Sequence, residues 1–341
     1  MTPLELTALA RHAALELGFD ACGVTDLRPS EAGPALDDWL RLGYHGEMGY
    51  LARQAPIRRE PQRAWPDARS AVVVLHNYFQ PPTSLPSGPG RIAQYALGDD
   101  YHAVIKEKLA RLGAGIVEAA GRGRCRSYVD AGPLPERELA RRAGLGWIAK
   151  NTMLIHPGIG SFTFIGVLLT DLVLAKDEPF EADRCGTCRR CLDACPTGAF
   201  PVARVLDATR CISYLTIEAR SEIPEAFRHE VGDNLFGCDI CQDVCPWNVS
   251  FAAETREPRY RTHSEDERPT LEEIVELDER TFDALLGTRR SSGRAAPGSR
   301  ATRASCSITR GRGRGPDGRA RRLARHRSQT PRSAVRAEGE P

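Results

Sequence analysis

The sequence lacks any apolar run long enough to cross a bilayer, since its most apolar stretch, Phe162 to Leu174, is too short for a spanning helix. It also lacks an export signal: Glu5, Arg11 and Glu16 interrupt the N-terminus and no twin-Arg pair precedes an apolar segment. The expected location is therefore cytoplasmic. Lysine supplies only four of the 47 basic residues, and aromatic residues make up 6% of the chain. Cysteine is not scarce. Eleven cysteines in a reducing compartment point to metal ligands rather than disulfides. With 341 residues, 41% of them hydrophobic, the chain can form two or three domains around sizeable cores.

The net charge of +2 conceals a division. From Thr288 to Pro341 there are 15 Arg, no Lys and three acids, so this tail carries +12 and the rest of the chain −10. The tail has only Ile308, Leu323 and Val335 as large apolar residues and no aromatics, too little to offset the entropy of ordering it. We expect it to be disordered or, since the same residue types would arise from an out-of-frame reading of a GC-rich gene, frameshifted.

Before the tail, apolar spacing predicts a helix over residues 4–18, a strand at Ala21 to Thr25, a helix near Ala35 to Leu42 and a buried strand from Ser70 to Tyr78. A Pro- and Gly-punctuated loop, Pro81 to Gly90, precedes an amphipathic helix from His102 to Ala120. A strand at Ser127 to Asp130 and a short helix at Pro135 to Ala143 follow. The expected fold class is α+β, with an α/β-like N-terminal domain at 1–178 and a ferredoxin-like domain at 179–255. The start of a helical region is placed at 256–287 and the Arg-rich tail at 288–341.

Eight cysteines fall between Cys185 and Cys245, leaving Cys22, Cys125 and Cys306 without an expected role. Cys185, Cys188, Cys191 and Cys195-Pro196 form C-x2-C-x2-C-x3-C-P, the bacterial ferredoxin run, in which the fourth cysteine ligates the other cluster. Cys238, Cys241 and Cys245-Pro246 form a second run one ligand short, and Cys211 is the only cysteine between the two. The count closes on two 4Fe-4S clusters. By the crossed rule one is held by Cys185, Cys188, Cys191 and Cys245, and the other by Cys195, Cys211, Cys238 and Cys241. Zinc is the competing reading, but zinc knuckles require neither the triple run nor the repeated Cys-Pro ending.

Six segments in this order and spacing resemble one family, the epoxyqueuosine reductases, cobalamin-dependent iron-sulfur enzymes of queuosine synthesis on tRNA. They are Gly46-Glu-Met-Gly-Tyr50-Leu51, Gly98-Asp-Asp-Tyr101-His102, Asp130-Ala-Gly-Pro-Leu134, Gly144-Leu-Gly-Trp147-Ile-Ala-Lys150-Asn151, Cys211-Ile-Ser213-Tyr214-Leu-Thr216-Ile-Glu218 and Gly237-Cys238 through Trp247-Asn248. The resemblance extends from about residue 4 to 286. Ala149 stands where the family usually has Gly, and the tail replaces the family's C-terminal HEAT-type helices.

The resemblance implies reduction of the epoxide of epoxyqueuosine in tRNA to queuosine, with cobalamin as the reacting cofactor and two clusters relaying electrons from a low-potential donor. Asp130 is then the proton donor, on the expectation that partial burial raises its pKa, and His102 is the second catalytic residue. Arg58, Asp130, Leu154, Ile165 and Ser213 are the implied cofactor contacts. The cobalt-binding Asp-x-His-x-x-Gly motif is absent. A monomer is expected, with tRNA as partner and no membrane. The alternatives are a reductive dehalogenase-like cobalamin reductase, which usually carries an export signal, and a ferredoxin-type electron carrier, which leaves the motifs before Cys185 unexplained.

Overall fold

The computed structural model describes residues 1–81 and 90–261, so the readings made of 262–341 lie outside the described residues. The chain opens with α1 (Pro3–Glu16), β1 (Ala21–Thr25), α2 (Gly33–Arg41), α3 (Gly49–Arg59) and β2 (Ser70–Asn77). Next come β3 (Arg91–Ile92), α4 (Tyr101–Ala120), β4 (Cys125–Val129), α5 (Glu136–Arg142), β5 (Trp147–Ile148), β6 (Leu154–Ile155) and β7 (Thr163–Thr170). The cysteine-rich part holds short pieces only: α6 (Arg190–Ala194), α7 (Ile212–Ile217), α8 (Glu225–Val231), β8 (Asn234–Phe236), α9 (Ile240–Asp243) and α10 (Pro246–Phe251).

Local chemistry accounts for the helix starts. Thr2 caps α1 through a reciprocal pair of bonds with Glu5, ahead of Pro3 at the first helical position. Asp100 caps α4 by accepting from the His102 N–H at 2.9 Å, and the helix stops at Gly121, whose φ of +64° suits a residue without Cβ.

The main sheet runs in the order β1-β2-β7-β4 with every neighbouring pair antiparallel. The parallel pairing that an α/β-like alternation implies does not occur in this sheet, so the N-terminal part is α+β. All eight residues of β2 are buried because both faces are covered. Val72 and Val74 meet α1 and α4, where Ala10, Ala14, Leu109 and Leu112 also lie. Ala71, Val73 and Leu75 turn to the opposite face against Leu139 and Ala140 of α5. The run that fails as a membrane span contains the inner strand β7, and α4 packs so closely over its Gly166 that a Cβ there would lie 2.9 Å from Ile105.

After the cysteines the chain returns to the sheet domain. Asn77 Nδ2 donates to Ala253 O at 2.7 Å, Thr255 Oγ1 to Asn77 O at 2.6 Å, and Gln80 Nε2 to Tyr260 O at 2.7 Å. Beneath this strap, Lys108 Nζ bonds Glu257 at 2.5 Å and lies 3.0 Å from His76 Nε2, while His76 Nδ1 is 3.3 Å from Asp20.

Candidate active site and cluster region

The end of β4 and the start of α4 meet at a polar cleft. Asp130 follows β4 directly, and its carboxylate accepts from the Tyr101 hydroxyl at 2.8 Å and lies 3.5 Å from His102 Nε2. The other ring nitrogen of His102 is 2.9 Å from Asp100 Oδ1, so the imidazole is held between two carboxylates. The Asp130 side chain remains 67% exposed, open to a substrate group from solvent.

The electrostatics differ from the sequence-based expectation. Desolvation pushes the Asp130 pKa up, but the bonds from His102 and Tyr101 more than offset it and hold the carboxyl below its usual range. Burial lowers the His102 pKa, yet its bonds to Asp130 and Asp100 leave it raised above 6.5. Both shifts favour the state in which the imidazole carries the proton and Asp130 is ionised, rather than a proton on an isolated Asp130 carboxyl. Glu136, one turn further along, is pushed up to about 8 by burial and by the charge of Asp130.

The implied cofactor contacts fall in different places. Arg58 donates to Gly132 O at 3.3 Å, Leu134 O at 3.1 Å and Gln54 Oε1 at 3.2 Å, clasping the loop after Asp130, and its Nε is buried without a protein partner. Ile165 is half-buried in β7, whereas Leu154 is 3% exposed and packs in the core under α5. Ser213 lies beside the cysteines, where its backbone N–H bonds the Cys211 thiol. Tyr50, pushed up to about 12 by burial and then by the charges of Glu218 and Asp130, lies within electrostatic reach of the same carboxylate.

The eight thiols gather in two sets by the charge each feels. Cys191 interacts with Cys245, Cys185 and Cys188, and Cys245 with Cys185 and Cys188. Cys238 interacts with Cys211 and Cys195, and Cys241 with Cys238 and Cys211. Cys241 also feels Cys191, so the sets are adjacent. Burial pushes the Cys238 thiol up to about 12 and Cys241 well above its usual value. Thiols buried in this way suit a cationic iron centre that favours thiolates. The Ala199 N–H on Cys195 Sγ at 3.3 Å, with N–H bonds from Ile240 to Cys238 and from Trp247 and Asn248 to Cys245, would stabilise the charge on such ligands.

The remaining motifs join cleft and cysteines. Lys150 Nζ donates to Gly186 O at 2.6 Å and Cys188 O at 2.9 Å, while Asn151 Nδ2 donates to Cys241 O at 3.2 Å, so adjacent residues bind both runs. The Glu47 carboxylate accepts from Arg220 N at 2.7 Å and from Ser221, beyond the end of α7. Parallel pairing of β3 with β8 brings Tyr95 against both Tyr101, at 6.3 Å between ring centroids, and Phe236, at 6.1 Å. Only Gly237 separates Phe236 from Cys238. The cleft therefore adjoins the set that contains Cys211.

Sequence reasoning missed Tyr101, Asp100 and Glu136 as partners of the Asp130–His102 pair. Asp100 could have been found as the helix cap before the Tyr-His dipeptide, but the approach of Glu136 depends on the turn after β4 and leaves no pattern.

Fold and site together define a class: a mixed helix-and-sheet domain with a polar, proton-holding cleft, joined to a double iron-sulfur module. Residues 184–248 match the family described as 4Fe-4S double cluster binding domain, and residues 58–131 match Epoxyqueuosine reductase QueG, DUF1730. The epoxyqueuosine reductase of Cyclobacterium marinum is 41% identical over 272 residues, 79% of this chain and 87% of the relative. That of Escherichia coli is 40% identical over 291 residues, 82% of this chain and 76% of the relative. The chain belongs to the epoxyqueuosine reductase family. A crystal structure of such an enzyme with an epoxyqueuosine-modified tRNA-Tyr stem loop superimposes with a TM-score of 0.78 at 31% identity, covering 89% of this chain and 80% of that one. The Bacillus subtilis enzyme, in a structure with its catalytic loop swung out of the active site, gives 0.79 at 30% identity over the same shares.

Proposed function

We propose that this chain is a cytoplasmic oxidoreductase that reduces the epoxide of epoxyqueuosine in tRNA to queuosine, the final step of queuosine biosynthesis. The reaction consumes two electrons and two protons, replaces the epoxide by a carbon-carbon double bond and releases the oxygen as water. The observation that carries this reading is the adjacency of a proton-holding triad, Tyr101, His102 and Asp130, to one of two thiol sets. A carrier that only docks a redox partner has no use for that triad. The tRNA-bound relative supports the substrate class.

Cys185, Cys188, Cys191 and Cys245 would hold one cluster and Cys195, Cys211, Cys238 and Cys241 the other, and the two would supply single electrons from a low-potential donor. The second set lies on the Tyr95 side, next to the cleft. Cobalamin, when bound, supplies the strongly reducing cobalt centre that clusters alone do not. Arg58 with its unpartnered Nε, Asp130 and Ile165 fit its cleft, and Ser213 stands at the cluster side; Leu154 reaches it through the backbone only, because its side chain is committed to the core. Asp130 orients and relays a proton held by His102. Residues 1–178 form the cofactor-binding part and 179–255 the cluster part, and the protein works as a monomer with tRNA.

An anaerobic assay of the reconstituted protein on epoxyqueuosine-containing tRNA with a chemical reductant tests the proposal. Queuosine should form at the expense of the epoxide, and its absence from protein loaded with iron, sulfide and cobalamin would refute the reading.

A further inference from the structure

Asp130 sits in a backbone conformation that residues with a Cβ rarely adopt, with φ at +54°. The Ala131 N–H folds back onto Val129 O at 2.5 Å, so the chain reverses within three residues as β4 ends. The N–H of Asp130 itself points to Glu136 Oε1, 2.8 Å away in the first turn of α5. Six residues of chain thus close into a loop on a single carboxyl group, and Arg58 pins the same loop through the carbonyls of Gly132 and Leu134.

We propose that Glu136 is the positioning residue for Asp130, fixing the turn so that the Asp130 carboxylate faces Tyr101, His102 and the reacting oxygen. This rests on the reading of Asp130 as the proton-handling group. A plain helix-dipole role does not account for the arrangement, because Glu138 in the same turn faces away and bonds Ser30 Oγ and the Glu31 N–H. An acid would serve the dipole without touching Asp130 at all. The carboxyl is also kept there against an electrostatic cost, since it faces Asp130 and Tyr101 as well as Arg58 and Arg137. Either protonation state leaves an oxygen to accept the Asp130 N–H, and so does a glutamine amide.

Steady-state kinetics of protein loaded with clusters and cobalamin, with iron content measured alongside, test the assignment. Glu136→Ala and Glu136→Asp, the latter one methylene short of the turn, should each lower kcat by roughly 10- to 100-fold. KM for the tRNA should stay within about threefold, and Glu136→Gln should recover kcat to a similar margin, since the substrate-binding surface and the acceptor oxygen are respectively preserved. In an Asp130→Asn background, Glu136→Ala should cost less than about twofold more, because a residue acting through Asp130 has nothing left to position. Undiminished kcat in Glu136→Asp, a Gln variant as slow as Ala, or a full loss retained in the Asp130→Asn background would each overturn it. Near-normal turnover of Asp130→Asn alone would instead overturn the reading of Asp130.

Discussion

The Tyr214 hydroxyl accepts the backbone N–H of Glu47 at 2.8 Å, and it does so where the preceding residue, Gly46, would place a Cβ only 2.3 Å from the same oxygen. Gly46 also has φ at +54°. Two distant motifs, one between β1 and β2 and one in α7, are therefore fitted to each other at a point where no side chain can be added without displacement.

Gly46→Ala should destabilise the fold by about 1–3 kcal/mol through overpacking and an unfavourable backbone angle. The melting temperature should fall by several degrees while the cleft residues stay unchanged. Tyr214→Phe, which strands the Glu47 N–H, should cost about 1 kcal/mol or more. Thermal unfolding of the anaerobically loaded protein measures both, and unchanged melting of Gly46→Ala would show that the α7 contact is slack.

Cys211→Ala should remove one ligand from the set with Cys195, Cys238 and Cys241 and spare the other. Iron and sulfide analysis, with paramagnetic resonance after reduction, should show one intact four-iron cluster and one degraded or three-iron centre. Two intact clusters would refute the crossed arrangement.

Asp130→Asn should retain iron and cobalamin but lose about 10²–10⁴ in rate, the usual contribution of proton transfer by a positioned group. Single-turnover measurements on epoxyqueuosine tRNA check this without interference from slow reduction of the clusters.

The pH dependence follows from the paired shifts. Asp130 is held low and His102 is held above 6.5, so the ion pair is complete between the two values. It disappears as pH falls through the Asp130 value or rises through that of His102. The alkaline limb of the rate should lie above 6.5, and Asp130→Asn should move it to lower pH by removing a partner that favours the imidazolium. An alkaline limb unmoved in that variant would assign the titration to another group.

The double-cluster character of residues 184–248 was legible because the close cysteine runs leave a spacing pattern in the chain, whereas the partition of the eight thiols between two clusters stays a proposal that the Cys211→Ala variant tests. The strands at residues 21–25 and 70–77 were legible because burial on one or both faces leaves an apolar pattern. Their antiparallel order was not, since a helix lying between two strands in sequence permits either direction. Helix α3 was overlooked because Gly49 and Pro56 disturb its periodicity. The identity of the cleft aspartate came from its motif, but its protonation did not. That depends on Tyr101 and His102 arriving from a different element, which no local pattern records.

The strap formed by Ala253, Thr255 and Tyr260 anchors the cysteine-bearing part to the sheet domain at its far end as well as at its near one. A segment tied at both ends cannot pivot as a hinged arm does. The spacing between the Cys211 set and the turn that carries Asp130 is therefore held by bonds on both sides of the cysteine runs rather than by one joint.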